Sequence, residues 1–214
     1  MIKGVLFDMD GVLVDSEEYI CKAAIMMFNE KGLEVQPEDF IPFVGTGENR
    51  YLGGVAEKYS FPVDIDEIKD RTYEIYGQII RGELEPLEGV LDFIATCKQK
   101  GLKIAVATSA DEVKMKSNLY EIGIPVETFD TAVNGLMIKN KKPDPEIFIT
   151  AANHLGLRAE DCLVVEDAIN GVESGKRAGS KVLGIMSSFT REQLKEADWI
   201  VENLSNYPQE VFLW

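Results

Sequence analysis

The chain has 214 residues, 45% of them hydrophobic, and a formal net charge of −15. That size supports one full core with room for a small inserted unit, and the acidity excludes nucleic acid as a partner, because its phosphates need a basic face. The apolar runs fall far short of the ~20 residues that span a bilayer, Met1-Ile2-Lys3-Gly4 has no secretory layout, and Cys21, Cys97 and Cys162 lack zinc-site spacing, so a cytoplasmic protein with reduced core thiols and no membrane contact is expected; a monomer is the default, since nothing in the sequence settles oligomeric state.

Gly4-Val5-Leu6-Phe7 is a short apolar run that stops at an acidic, glycine-containing turn, which predicts a buried strand followed by a functional loop. The next segment, 16–82, reads as all-helical, with helices over Glu17–Lys31, Pro37–Phe43, Asn49–Tyr59 and Asp66–Arg81 and no buried strand between them. Met26, Met27 and Phe28 are read as its core. After it, strands at Lys103–Ala107, Cys162–Val165 and Lys181–Ile185 alternate with helices at Gly89–Lys100, Asp111–Ile122, Asp144–Leu155 and Ala168–Ala178. Gly101, Gly123, Gly156 and Gly179 each follow a helix, where a left-handed cap is wanted. Alternation of this kind predicts an α/β fold, a Rossmann-like parallel sheet wrapped by helices. The division is residues 1–15 and 83–214 as the core and 16–82 as an inserted helical cap placed over the carboxyl ends of the strands, where such sheets bind ligands.

Four pieces of sequence carry chemistry. In Asp8-Met9-Asp10-Gly11, two carboxylates stand two residues apart and Gly11 allows a sharp turn, so both acids can converge on one hard cation and one phosphorus atom. Asp8 can act as a nucleophile and Asp10 as acid and base, or the stretch can be an acidic turn with a capping aspartate. Thr108-Ser109-Ala110, after the second predicted strand, offers a hydroxyl and backbone N–H groups suited to phosphate oxygens, and equally a helix cap. Lys142 precedes Pro143, whose ring pushes it toward an extended backbone that can aim the ammonium inward; an exposed lysine is the plain alternative, and Lys139 and Lys141 are expected to stay solvated. Glu166-Asp167 ends a buried strand with two adjacent acids, which calls for a partner; magnesium, an oxygen-seeking ion that bridges carboxylate and phosphate, fits best, with one acid free to serve as a helix cap. On so acidic a chain, any phosphate site must be made positive locally by metal, lysine and backbone N–H groups.

Taken together, DMDGVLVDS, ATSA, KKPDPEIF and VVEDAINGV resemble the motifs of the haloacid dehalogenase superfamily, in the helical-cap branch that includes β-phosphoglucomutase and small sugar-phosphate phosphatases. The resemblance implies Asp8 as nucleophile and Asp10 as general acid and base. It implies magnesium held by the Asp8 carboxylate, the Asp10 carbonyl and Asp167 with Glu166 close by, and a phosphoryl group held by Thr108 and Lys142. Dehalogenase members have one aspartate in the first motif and no metal, so Asp10 favours phosphoryl transfer on a small phosphorylated metabolite. Against the mutase, Ile20 stands where its cap histidine falls and Glu48 at or near its phosphate-gripping arginine, with Arg50 as a possible substitute. A non-catalytic relative that binds phosphorylated ligands is the reading from another class.

Substrate contacts are expected from Ser109, Ala110, Glu17 and the cap loop Gly45, Thr46, Gly47, Glu48, Asn49 and Arg50, whose glycines permit close backbone approach. The loop is similar to that of broad-range sugar phosphatases. His154, the sole histidine, is read as structural, and Trp199 and Trp214 as packing residues.

Overall fold

The computed structural model describes residues 2–44 and 46–214. Six parallel strands form one sheet in the order β3-β2-β1-β4-β5-β6. They are β1 (Gly4–Phe7), β2 (Lys103–Ala107), β3 (Thr131–Val133), β4 (Cys162–Glu166), β5 (Lys181–Ile185) and β6 (Trp199–Val201). This is the Rossmann order, and its reversal lies between β1 and β4, the position at which open α/β sheets bind ligands. The helices are α1 (Glu17–Glu30), α2 (Glu48–Lys58), α3 (Ile65–Ile79), α4 (Val90–Gln99), α5 (Glu112–Glu121), α6 (Glu146–His154) and α7 (Ile169–Arg177). No helix among the described residues is long and apolar enough to cross a membrane.

The central strands read as continuous apolar runs because both faces of the sheet are covered. Val5, Phe7, Ile104, Val106, Leu163 and Val165 belong to a core shared with α4, α5 and the helical insert. Leu6, Ala105, Ala107, Cys162 and Val164 belong to a second core under α6 and α7. The period of two along each strand makes this division, and each fully buried large side chain such as Phe7 contributes roughly 1.5–3 kcal/mol. Gly101, Gly123, Gly156 and Gly179 all have positive φ, as expected of caps.

Between β1 and α4 the chain is helical. α1 carries its apolar residues at Ile20, Ala23, Ala24, Met27 and Phe28, the i, i+3, i+4 stripe that packs inward. Met26 falls off that stripe and is 40% exposed, so it lies outside the insert's core, contrary to expectation. Pro37–Phe43 is two short 3₁₀ turns rather than a continuous helix. Asp39 fixes the first turn by accepting from the Gln36 N–H at 2.8 Å and from the Tyr59 hydroxyl at 2.7 Å, with Lys58 paired to its other oxygen. Asp64 caps α3, accepting from the backbone N–H groups of Asp66 and Glu67 at 3.0 and 3.1 Å.

Two strands were not expected. Thr131–Val133 and Trp199–Val201 have three residues each and form the two edges of the sheet, where only one side is paired and no long apolar run is required. Trp199 is half-buried on β6, and His154 is exposed at the end of α6. The three cysteines are free, Cys97 and Cys162 buried and Cys21 half-buried.

Candidate active site

Register brings the motifs together. Phe7 pairs with Val106 on one side and Val165 on the other, so Asp8 leaves the sheet beside Ala107 and Glu166. The Asp8 N–H still donates to the Val165 carbonyl at 3.0 Å, extending the ladder by one bond and fixing where its side chain starts. Lys142, brought from the loop before α6, places Nζ 2.5 Å from Asp8 Oδ1 and 2.6 Å from Glu166 Oε1. Its side chain is 5% exposed. The other Glu166 oxygen accepts from the Asp167 and Ala168 N–H groups, both at 2.8 Å, so this carboxylate is gripped from both ends.

Asp8, Glu166 and Asp167 are all buried, and each offers an oxygen within 4.8 Å of the others. Two glycines make room. A Cβ at Gly11, which has φ +75, would lie 2.0 Å from Asp167 Oδ2, and one at Gly171 would lie 1.8 Å from Glu166 Oε1. Burial pushes the Asp8 carboxyl up to about 7, with Lys142 opposing the shift and Glu166 adding to it. Asp167 is raised well above the carboxylate range by burial, then by Glu166 and Asp8. Burial works against charge on Lys142, but its two carboxylates outweigh that and hold it firmly protonated. Three buried acids facing one ammonium leave an excess of negative charge on a set of hard oxygen donors. That donor chemistry fits a divalent cation such as magnesium.

Asp10 is anchored separately. Lys114 Nζ lies 2.9 Å from its Oδ2, while the Ser16 hydroxyl and, at 3.5 Å, Asn118 Nδ2 reach Oδ1. Asn118 also donates to Ser16 Oγ at 3.1 Å and accepts from the Tyr76 hydroxyl on α3, which ties the helical insert to the Asp10 anchor. Lys114 is 5% exposed. Burial disfavours its charge, yet Asp10 and Glu48 more than compensate and push its pKa up. Neither Lys114 nor Asn118 was anticipated. The available signal was two polar residues, four apart, within the buried stripe of α5 made by Lys114, Met115, Asn118 and Leu119.

A cavity of about 530 Å³ spans these groups and the helical insert. Its lining includes Asp8, Asp10, Thr108, Ser109, Ala110, Lys142, Glu166 and Asp167, so every expected residue of the core motifs faces one space. Thr108 is buried, and its Oγ1 accepts from the Ala110 N–H at 3.1 Å. From the insert, Glu17, Gly47 and Glu48 line the cavity. Thr46, Asn49 and Arg50 do not: Thr46 donates to the Phe43 carbonyl at 2.6 Å, Asn49 accepts from Lys69 at 2.9 Å, and Arg50 pairs with Glu57 at 2.7 Å over the Phe43 ring. Gly45 lies outside the described residues. Lys139 is exposed as expected, whereas Lys141 is half-buried and donates to the Gly135 carbonyl at 2.5 Å, because the loop before α6 folds back on itself there.

Ile20 and Tyr51 also line the cavity from the insert, and Leu87 lines it from the segment just after the insert. Burial raises the carboxyls of Glu17 and Glu48, with Lys114 opposing both shifts.

The haloacid dehalogenase-like hydrolase family matches residues 5–185. Over 202 residues the chain is 41% identical to Protein SUPPRESSOR OF QUENCHING 1, chloroplastic, of Arabidopsis thaliana, a match that takes in 92% of this chain and 19% of that protein. It thus spans about a fifth of that relative's length. It is 29% identical over 189 residues to the Phosphorylated carbohydrates phosphatase of Thermotoga maritima, covering 88% of this chain and 87% of the relative. Among solved structures, CbbY from Rhodobacter sphaeroides, in complex with phosphate, superposes with a TM-score of 0.87 at 27% identity, covering 96% of each chain.

Proposed function

The chain belongs to the haloacid dehalogenase-like hydrolases, and we propose that this phosphoric monoester hydrolase acts on a small sugar or polyol phosphate by passing the phosphoryl group through Asp8. The observation that carries the proposal is the Lys142 ammonium bridging Asp8 and Glu166 inside a buried acidic cluster at the ends of β1 and β4. A lysine so placed holds the nucleophile beside positive charge and leaves a cation as the natural complement of Asp167. The phosphorylated-carbohydrate phosphatase among its relatives supports the substrate class.

In the proposed reaction an Asp8 carboxylate oxygen attacks phosphorus in line with the ester oxygen. The P–O ester bond breaks, Asp10 gives its proton to the departing alkoxide, and an acyl phosphate remains on Asp8. Asp10, now a base, takes a proton from water; the hydroxide adds to phosphorus, and inorganic phosphate leaves with Asp8 restored. Thr108 and Lys142 hold the non-bridging oxygens, and Lys114, Ser16 and Asn118 keep Asp10 aimed at the leaving group. Magnesium would be held by the carboxylates of Asp8 and Asp167 and the Asp10 carbonyl, with Glu166 steadying Lys142 close by, and when bound it supplies Lewis-acid neutralisation of the phosphoryl charge. Residues 16–82 form the lid that excludes bulk water, and residues 1–15 and 83–214 form the catalytic core.

Hydrolysis is favoured over transfer between two sugar hydroxyls because Arg50, the candidate for gripping a second phosphate, is engaged by Glu57 away from the cavity. The test is phosphate release from a panel of sugar and polyol monophosphates with magnesium, with isomerisation of β-glucose 1-phosphate followed in parallel. Steady release abolished by a chelator is expected, and Asp8→Asn should lower it by roughly a thousandfold or more with an unchanged circular dichroism spectrum. Full activity in that variant would overturn the nucleophile, and binding without turnover in the wild type would make the protein a non-catalytic relative.

A further inference from the structure

We infer that the insert wall of the cavity, built from Glu17, Glu48 and Tyr51, selects phosphomonoesters whose alcohol portion is uncharged and hydroxyl-rich, and rejects those with a second phosphate or a carboxylate. The inference deepens the phosphatase reading and rests on it.

Glu48 opens α2 directly after Gly47, whose φ of +86 turns the chain so that the glutamate faces inward. It is 8% exposed and lines the cavity. Its Oε2 is buried with no hydrogen-bond partner among the described residues, and the same holds for Glu17 Oε1 and the Tyr51 hydroxyl. Buried polar atoms without partners are costly and uncommon. Two carboxylates and a phenol with such atoms on one wall mark a surface that ligand hydroxyls, which both donate and accept, would complete. Ile20 and Leu87 between them offer the apolar contact that the carbon face of a polyol or sugar needs.

The positive charges near this wall are already committed. Lys114 lies 2.9 Å from Asp10. Lys69 sits between Asp111, at 3.4 Å, and Asn49, at 2.9 Å. Arg50 turns to Glu57, and Lys141, although close to Gly47, is held on the Gly135 carbonyl. A second anionic group would therefore enter against Glu17 and Glu48, and among the described residues the only cations lining the cavity are Lys114 and Lys142, both already paired. Like charges placed together in an enclosed site reject a partner strongly.

The test compares sorbitol 6-phosphate with fructose 1,6-bisphosphate and 3-phosphoglycerate. Two readouts are used: kcat/KM of the magnesium-loaded wild type, and Kd on Asp8→Asn protein, which needs no turnover. The monophosphate should be preferred by at least about tenfold in both. Glu48→Gln and Glu17→Gln, each isosteric and checked for folding by circular dichroism, should shrink that preference by roughly threefold or more, mainly by improving the anionic ligands. Equal handling of all three ligands by the wild type, or a preference unchanged in both variants, would overturn the inference. Hydrolysis of p-nitrophenyl phosphate by the wild type reports separately on the phosphatase reading; if it fails, the Kd ratio still decides the specificity of the wall.

Discussion

Replacing Asp167 by asparagine should stabilise the protein when no divalent ion is present. Asp167 shares a buried cluster with Asp8 and Glu166 in which ligand oxygens lie within 4.8 Å of one another. At that separation two carboxylates repel by about 3.5 kcal/mol at an effective dielectric near 20. Lys142, bonded to both neighbours, offsets roughly one of the two repulsions on Asp167, so about 3 kcal/mol remains, borne either as repulsion or as the cost of taking up a proton on a carboxyl raised well above its ordinary value. The hydrogen bond lost in exchange is weak, since Ser187 Oγ lies 3.4 Å away. With a chelator, Asp167→Asn should raise stability by about 2–3 kcal/mol, which for a chain of this size moves the melting temperature up by roughly 5–10 °C. Magnesium at a hundred times its Kd should add about 2.7 kcal/mol to the wild type and less to the variant, so the gap should close or invert. Thermal melts of both proteins in EDTA and in excess magnesium make the comparison. A variant that melts at or below the wild type in EDTA would refute the reading of the cluster as a site with one cation too few.

Lys114→Met leaves Asp10, Glu17 and Glu48 facing one another without their buried cation; it should cost about 3 kcal/mol in urea unfolding and lower kcat by roughly a hundredfold. Retention of both values would remove Lys114 from the Asp10 anchor. Gly171→Ala sets a Cβ 1.8 Å from Glu166 Oε1, so Glu166 must swing off Lys142, and kcat should fall by roughly tenfold or more at nearly unchanged secondary structure. The Gln36 N–H, then Lys58 and Tyr59, hold the Asp39 carboxyl down to about 2 from 3.8. Because the folded value is the lower one, Asp39 contributes stability above about pH 4 that is lost as pH falls toward 2. Asp39→Asn should therefore cost about 1–2 kcal/mol at neutral pH, the cost fading across that acid window in urea titrations; a constant difference down to pH 2 would refute the charged network.

The parts of the fold legible in the sequence were those with a local cause. β1, β2, β4 and β5 announce themselves because a strand covered on both faces must be apolar at consecutive positions, and the glycines after the helices announce the caps. β3 and β6 were silent because a three-residue edge strand needs neither apolar face nor full pairing. α1 placed Met27 and Phe28 correctly but not Met26, since reading three adjacent apolar residues as one core ignores the helical period that Ile20, Ala23 and Ala24 had already set.

The same distinction governs the site. Asp8, Thr108, Lys142, Glu166 and Asp167 could be read because each occupies a strand end or a loop position whose placement follows from parallel topology alone. Lys114 could not, because its partner Asp10 is 104 residues away and nothing near Lys114 in the chain states that its helix turns that face toward the β1 loop. Only the packed structure reveals that a buried lysine is needed there, and it does so through charge: Asp10 comes from the β1 loop, Glu17 and Glu48 from the insert, and all three converge where a single ammonium can serve them. A cation supplied from α5 offsets part of the repulsion among these acids and so lets the core and the insert bring them to a common wall. On the proposed reading, specificity rests on interactions of long sequence separation, while the phosphoryl-handling groups follow from the topology of the sheet.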